Sequence, residues 1–357
     1  MSKFNFFDLT PESLQVCLEA KNIKKFVATQ LLQWVYEKKE TCLESMSNLS
    51  KGHRAEFAQL FSFETLELLK QEISDDKQTI KYLWKLVDGQ AVESVLILAP
   101  GRQTVCVSSQ VGCPARCAFC ASGKKGLLRH LMAHEIVEQV WRINRDLHQQ
   151  SGQTVTHVVF MGMGEPLENY DAVTTALTLL MHPSTMGMSK RRITVSTVGI
   201  EDKIYRLADE GFGVNLAFSL HAPTQALREK IIPYARKYHL DALLKALRYY
   251  TAQTKKDITF EYTLIRGWND QLEHAHALAA LLSTWQCTVN LIPYNPVEGL
   301  LLKIPLTKNV EMFRSILTEA GVPNTCRYTK GRDIAAACGQ LALKNPQASL
   351  PVNPASA

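Results

Sequence analysis

Six short runs rich in β-branched and aromatic residues recur along this chain, each separated from the next by a stretch of helical period. They are "TVCVSSQ" (104–110), "THVVFMG" (156–162), "RRITVSTVG" (191–199), "NLAFSLH" (215–221), "DITFEYTLI" (257–265) and "TVNLIPYN" (288–295). No other feature narrows the fold as far. Strands that alternate with helices run parallel, because each helix carries the chain back to the edge from which the strand began. "AHEIVEQVWRINRDL" sets Ile136, Val137, Val140, Ile143 and Leu147 at helical spacing. "TQALREKI" opens at a capping Thr224, and "LDALLKALRYY" follows a capping Asp241. Six such units predict an α/β fold, a partial (β/α)6 TIM-like barrel, with a doubly wound sheet as the alternative. Polar residues at the strand ends favour the barrel. Gly164-Glu165, Ser196, Ser219, His221 and Asn295 would gather on one rim, where barrels bind ligands.

The first 90 residues read differently. Thr10-Pro11 has the form of a helix cap followed by proline at the first helical position. "KKFVATQLLQWVYEKK" places Val27, Leu31, Trp34 and Val35 on one face. "TIKYLWKLVDGQAVESVLIL" then changes to alternation, with a hairpin expected at Asp88-Gly89. The expected division is a small, mainly helical N-terminal domain over 1–90, the barrel over 91–342, and a Pro-, Ser- and Ala-rich disordered tail over 343–357. With 357 residues, 46% of them hydrophobic, the chain can bury a large core and an appendage. A net charge of +6 permits a nucleic-acid partner without requiring one. "MSKFNFFDLTPESL" has no apolar signal core, and no apolar run approaches the roughly 18 residues of a membrane span. A reducing cytoplasm is the expected setting, where clustered cysteines mean metal or catalysis.

"GCPARCAFCASG" supplies that cluster: Cys113, Cys117 and Cys120 in a CxxxCxxC spacing, with no fourth cysteine close by. A structural zinc takes four protein ligands, so zinc here needs a distant fourth. A cubane iron–sulfur cluster presents four irons. Three thiolates leave one iron open, and an amino acid's amine and carboxylate can chelate it.

This spacing after a first strand, with Phe119 just before the third cysteine, resembles the radical S-adenosylmethionine enzymes. The resemblance implies one [4Fe-4S] cluster on Cys113, Cys117 and Cys120, which donates an electron to the sulfonium of S-adenosylmethionine. "MGMGEP" (161–166) resembles the Gly-Glu motif for the methionine amine, through Gly164 and Glu165. Ser196, Ser219, Leu220, His221 and Asn295 match the ribose, adenine and carboxylate contacts. A narrower resemblance covers nearly the whole chain, through "VESV", "TVCVSSQVGCPARCAFCASG", "FMGMGEPLENY", "ITVSTVGI", "SLHAP", "LIPYNP" and "GRDIAAACGQL". These are similar to the RNA adenine-C2 methyltransferases of the RlmN type.

Adenine carbon 2 is electron-poor and does not attack a methyl sulfonium. The resemblance implies a two-stage answer that uses two S-adenosylmethionine molecules per turnover. Cys338 takes a methyl group from the first. A radical made from the second removes a hydrogen from that methyl, and the carbon adds to the base as a covalent protein–RNA adduct. Glu93, 13 residues before Cys106, removes the proton from carbon 2. Cys106 then attacks the sulfur of Cys338 and releases the RNA, leaving a transient disulfide. Cys17, Cys42, Cys287 and Cys326 are expected to pack.

The implied partners are 23S rRNA and tRNA, with a flavodoxin- or ferredoxin-type electron donor, no membrane, and a monomeric chain. Lys124-Lys125 with Arg129, Lys190-Arg191-Arg192, Arg236-Lys237, and Arg327, Lys330 and Arg332 are basic clusters suited to phosphates. The N-terminal segment resembles an accessory RNA-binding domain. Lys124-Lys125 and Met132 depart from the family's neutral or hydroxyl residues. A relative that methylates carbon 8 shares the cysteine set and stays an alternative, as do a non-catalytic zinc-containing RNA-binding protein and a radical enzyme acting on another substrate.

Overall fold

The computed structural model describes residues 3–327 and 330–341. The tail expected at 343–357 lies outside the described residues. A two-residue strand, β1 (Phe4–Asn5), leads to α1 (Pro11–Glu19), α2 (Lys25–Leu32), α3 (Lys51–Leu60) and β2 (Phe61–Ser62), which pairs with β1 in parallel. Thr10 Oγ1 accepts from the Ser13 amide at 3.2 Å, and Pro11 fills a position where no amide is needed. Ser50 caps α3 in the same way, at 3.1 Å. Val27, Leu31 and Val35 are buried, in a core that includes the rings of Phe6, Phe7, Tyr36, Phe61 and Phe63. Trp34 is half-buried: its Nε1 donates to Asn48 Oδ1 at 2.5 Å, and Lys38 Nζ stands 3.5 Å from its ring centre.

The rest is built on one ten-stranded sheet. In chain order come β3 (Glu67–Ile73), β4 (Thr79–Lys85), β5 (Ala91–Ala99) and β6 (Arg102–Cys106), an antiparallel meander. A short hairpin, β7 (Gln110–Gly112) and β8 (Leu127–His130), precedes α4 (Ala133–Ser151). Then β9 (His157–Phe160), α5 (Tyr170–Met181), β10 (Ile193–Thr197), α6 (Glu201–Asp209), β11 (Asn215–Ser219), α7 (Gln225–Ile231) and α8 (Leu240–Thr254) follow. The chain continues through β12 (Ile258–Leu264), α9 (Leu272–Leu282), β13 (Cys287–Pro293), α10 (Thr307–Glu319) and β14 (Asn324–Cys326).

Strand order settles the barrel against the doubly wound sheet. From β6 through β9, β10, β11, β12 and β13 to β14 every pairing is parallel and every neighbour is next in sequence among the strands of this sheet. A doubly wound sheet reverses its order midway, and this one does not. Right-handed crossovers then put the helices on one side and leave the other side to line a hollow. No ladder joins β14 to β3 among the described residues, so the barrel is partial. The six expected parallel strands are present; β14 is a seventh.

Two expectations change. The helices of the N-terminal unit end at Leu60, and the hairpin at Asp88-Gly89 joins β4 to β5 within the large sheet. A boundary near residue 90 therefore falls inside continuous strand pairing. Helix α8 has His239 as its cap residue; Asp241 lies in the first turn, where its carboxylate meets the positive end of the helix. The N-terminal unit is fastened to α4: Trp141 Nε1 donates to the Val35 carbonyl at 2.8 Å. No helix among the described residues is long and apolar enough to cross a membrane.

Strand periodicity decides what faces the hollow. Ile193, Val195, Leu216, Phe218, Ile258, Phe260, Val289 and Leu291 are all fully buried core residues. Their alternates, among them Ser196, Ser219, Glu261, Thr263 and Ile292, line the interior cavity.

Candidate active site

The three clustered cysteines sit on a loop between β7 and β8. Its neck closes where the Cys113 amide donates to the Gly126 carbonyl at 3.0 Å. Gly112, at φ +78°, faces that carbonyl so closely that a Cβ would stand 2.0 Å from it. Only glycine allows the approach. Cys113, Cys117 and Cys120 all line one cavity of about 140 Å³. Burial pushes all three thiols up, and Cys120 raises its two partners further. They are neutral thiols whose protons iron would displace.

The surroundings fit a cubane. Arg228 is wholly buried beside Cys117 and Glu165, and its Nε and Nη1 have no hydrogen-bond partner among the described residues. Burial lowers its pKa to about 10. A cluster held by three thiolates would set further negative charge beside this guanidinium. Among the described residues, no three His, Cys, Asp or Glu side chains converge as ligands of a single ion would. A cubane takes one thiolate per iron and makes no such demand.

The expected cofactor-binding residues occupy the same cavity, with two exceptions. Gly164, Glu165, Ser196, Ser219 and His221 all line it. At Gly164, φ +109°, a Cβ would stand 2.7 Å from Gln110 Cβ. Glu165 is buried and accepts from the Leu167 amide at 3.0 Å and the Val198 amide at 2.8 Å. Burial pushes its pKa up to about 7. An ammonium there would draw it back down. His221, at φ +55°, accepts at Nδ1 from the Thr263 amide at 2.9 Å, so its hydrogen is on Nε2. Burial, with Arg228 beside it, lowers its pKa to about 3, and the ring is neutral. Leu220 is not part of the wall; its amide donates to the Glu261 carbonyl at 3.1 Å. Asn295 lines a second cavity, where it donates to the Cys338 carbonyl at 3.2 Å and accepts from Arg332 at 3.1 Å.

That second cavity, about 280 Å³, is walled by Val95, Ile97, Thr104, Cys106 and Met161, among others. Cys338 and Arg327 belong to both cavities. Cys106 ends β6; burial, with Cys338 beside it, pushes its thiol up to about 12. Burial also raises the Cys338 thiol, while Arg327 pulls it down. Cys338 is exposed. The Gly339 carbonyl accepts from the Ala121 amide at 2.8 Å, and the Leu341 carbonyl accepts from Ser122 Oγ at 2.7 Å. The Cys338 segment is thereby pinned to the cysteine loop.

Glu93 is buried on β5 and is not a wall residue of either cavity. Its Oε1 lies 3.5 Å from Lys81 Nζ. Of the basic residues, Arg129 is committed to Glu135 at 2.7 and 2.8 Å and to Asp88 at 2.5 Å. Its expected role toward phosphate gives way to a structural one. Glu135 also accepts from the Met132 amide at 2.9 Å, which serves the helix start where a capping hydroxyl is absent. Cys287 is buried, and Cys17 and Cys326 are half-buried; Cys42 is exposed and does not pack.

Sequence reasoning missed Glu261. It is buried, lines the first cavity, accepts from Asn290 at 3.0 Å, and has no hydrogen-bond partner at Oε2 among the described residues. The available signal was its inward position in "ITFEYTL", where strand alternation leaves a carboxylate facing the hollow.

Comparison with known proteins agrees with this geometry. The family model of the radical SAM superfamily matches residues 107–279, and that of the ribosomal RNA large subunit methyltransferase N-terminal domain matches residues 4–62. The probable dual-specificity RNA methyltransferase RlmN 2 of Protochlamydia amoebophila is 53% identical over 350 residues, 98% of each chain. The probable dual-specificity RNA methyltransferase RlmN of Thermotoga maritima is 43% identical over 341 residues, 95% of this chain and 98% of its own. The crystal structure of a radical SAM methyltransferase from Sphaerobacter thermophilus superposes with a TM-score of 0.92 at 42% identity, covering 95% of this chain and 99% of that one. A [4Fe-4S] cluster and S-adenosylmethionine are the cofactors of such an enzyme. The chain belongs to the RlmN family of radical S-adenosylmethionine RNA methyltransferases.

Proposed function

We propose that this enzyme methylates carbon 2 of adenine in 23S rRNA and in tRNA, with Cys338 as carrier of the incoming carbon. The observation that supports this most is the place of Cys338 as a wall of both cavities. One cavity holds the three cysteines; the other holds Cys106 and has room for more than a side chain. When bound, the cluster supplies the electron that cleaves S-adenosylmethionine. The chain's own groups do the rest. Cys338 accepts a methyl group as a thiolate, and Arg327, which lowers that thiol, borders both cavities. Glu165 and Ser196 receive the cosubstrate, and neutral His221 offers Nε2–H to it. Glu93, buried two residues before the wall residue Val95, is the base assigned to the proton of carbon 2; the adduct loses that proton and one electron, which the cluster would take up, and Cys106 bonds to the Cys338 sulfur as its sulfur–carbon bond breaks, freeing the RNA. The larger cavity is suited to a base turned out of its stack.

The exposed stretch Lys190-Arg191-Arg192 and the pair Arg236-Lys237 would position phosphates. The names of the relatives support two RNA substrates. Both occur in the cytoplasm, where a flavodoxin- or ferredoxin-type donor would reduce a monomeric enzyme. The test is Cys338→Ala in cluster-loaded protein, with RNA digested to nucleosides and separated by mass and retention. Loss of 2-methyladenosine is expected. Undiminished product would refute the carrier role, and 8-methyladenosine from the parent enzyme would refute the position.

A further inference from the structure

The antiparallel edge formed by β3 and β4 has no part in the chemistry above, yet it holds the segment that carries Cys338. The Asp75 amide donates to Asp333 Oδ2 at 2.8 Å, and Lys330 Nζ to Gln78 Oε1 at 2.6 Å. Gly331 lies so close to Thr79 that a Cβ would stand 2.6 Å from Thr79 Cγ2. One turn of pleat further in comes Lys81, whose side chain is only 5% exposed. Its ammonium donates to the Ile334 carbonyl at 2.6 Å and forms ion pairs with Glu72 Oε2 at 2.9 Å and Glu93 Oε1 at 3.5 Å. The register explains the meeting. Glu72 pairs directly with Lys81, and Glu93 pairs with Leu83, one step diagonal on the same face.

A buried lysine between two carboxylates is a poor way to gain stability, because desolvation offsets much of the attraction. An apolar side chain would fill the same space. What an apolar side chain could not do is fix the distance between a carboxylate on a rigid strand and a backbone carbonyl four residues before Cys338. We propose that Lys81 is a positioning residue: it holds Glu93 and the Cys338 segment in one frame, so that base and carbon carrier meet the same adenine. This rests on the roles assigned above to Glu93 and Cys338. Lys81 itself lines neither cavity.

The experiment compares parent, Lys81→Met, Lys81→Arg and Glu93→Gln in the full, cluster-loaded chain, with an unmodified tRNA transcript as substrate. Lys81→Met/Glu72→Gln removes the surplus negative charge, should the single variant fail to fold. In folded Lys81→Met, amides of 331–337 exchange about tenfold faster. Its kcat falls about 10²-fold, with KM nearly unchanged. Formation of 5′-deoxyadenosine continues, and RNA stays covalently attached after denaturation, because the carbon is delivered but its proton is not taken. Lys81→Arg restores turnover in large part. Parent-like kcat and exchange in folded Lys81→Met overturn the inference. So does a loss that Lys81→Arg leaves unrestored and that traps no RNA, since that is a merely structural role. Glu93→Gln separates the two levels. If it turns over like the parent, the reading of Glu93 as base falls; if it is inactive while Lys81→Met is active, only the positioning role falls.

Discussion

Cys106 illustrates what burial does to a reactive group. It ends β6 against Val95 and Val159, and its thiol is pushed up to about 12 by burial, then by Cys338. Raised above the ordinary thiol value, it is protonated at neutral pH, and its thiolate fraction grows about tenfold per pH unit below its pKa. Alkylation of intact protein by iodoacetamide, followed by peptide mass, is therefore expected to label exposed Cys42 first at pH 8. Cys106 labelling should climb steeply through pH 10; a plateau by pH 9 would contradict the burial. At this scale the cysteine triplet was legible, because three cysteines within eight residues need no tertiary information. Arg228, Glu261 and Lys81 were not. The acceptor that gives Lys81 its meaning is Ile334, on the far side of the chain. Arg129 was misread for the same reason: its partners Asp88 and Glu135 cannot be seen in a basic run.

Helix α4 shows both success and failure of periodicity. Its apolar stripe, Ile136 to Leu147, is buried as its spacing requires. Glu138 is wholly buried too, and no pattern announced it. It accepts from the Thr65 amide at 2.9 Å, the Thr65 hydroxyl at 2.8 Å and the Leu66 amide at 2.9 Å. Burial raises its pKa, and these bonds draw it back. The carboxylate thus ties the link between β2 and β3 to the helix that follows the cysteine loop. Glu138→Ala leaves two amides and a hydroxyl without acceptors and is expected to cost about 3 kcal/mol, read from the urea midpoint. A loss below about 1 kcal/mol would mean that water replaces the carboxylate there. The seventh parallel strand, β14, escaped notice because three residues, Asn324–Cys326, are too few to show a period. The hairpin expected at Asp88-Gly89 is β4 turning into β5; edge strand β3, Glu67–Ile73, escaped because it lies in a stretch read as mainly helical and its side chains are mostly exposed.

For the molecule as a whole, alternation of strand and helix was enough to predict parallel strands, and the polar strand ends favoured the barrel that the sheet forms. Strand order, a property of the assembled sheet, is what decides it. The same assembly buries Arg228 with Nε and Nη1 lacking hydrogen-bond partners among the described residues, an arrangement that favours an added acceptor of negative charge. A group that binds only the folded chain stabilises it. Cluster-loaded protein should therefore melt about 5 °C or more above protein stripped by a chelator under reducing conditions, measured by calorimetry without oxygen. Arg228→Leu should narrow that gap; an equal gap in both would show that the guanidinium does not serve the cluster.

The sulfur at position 338 is a shared partition between two rooms. Under the role proposed for Cys338, cosubstrate and nucleobase need never occupy one chamber, and no open passage between them is required. A single carbon would be all that crosses, carried by the wall itself, with the fragile species on one side shut away from the bulky polymer on the other.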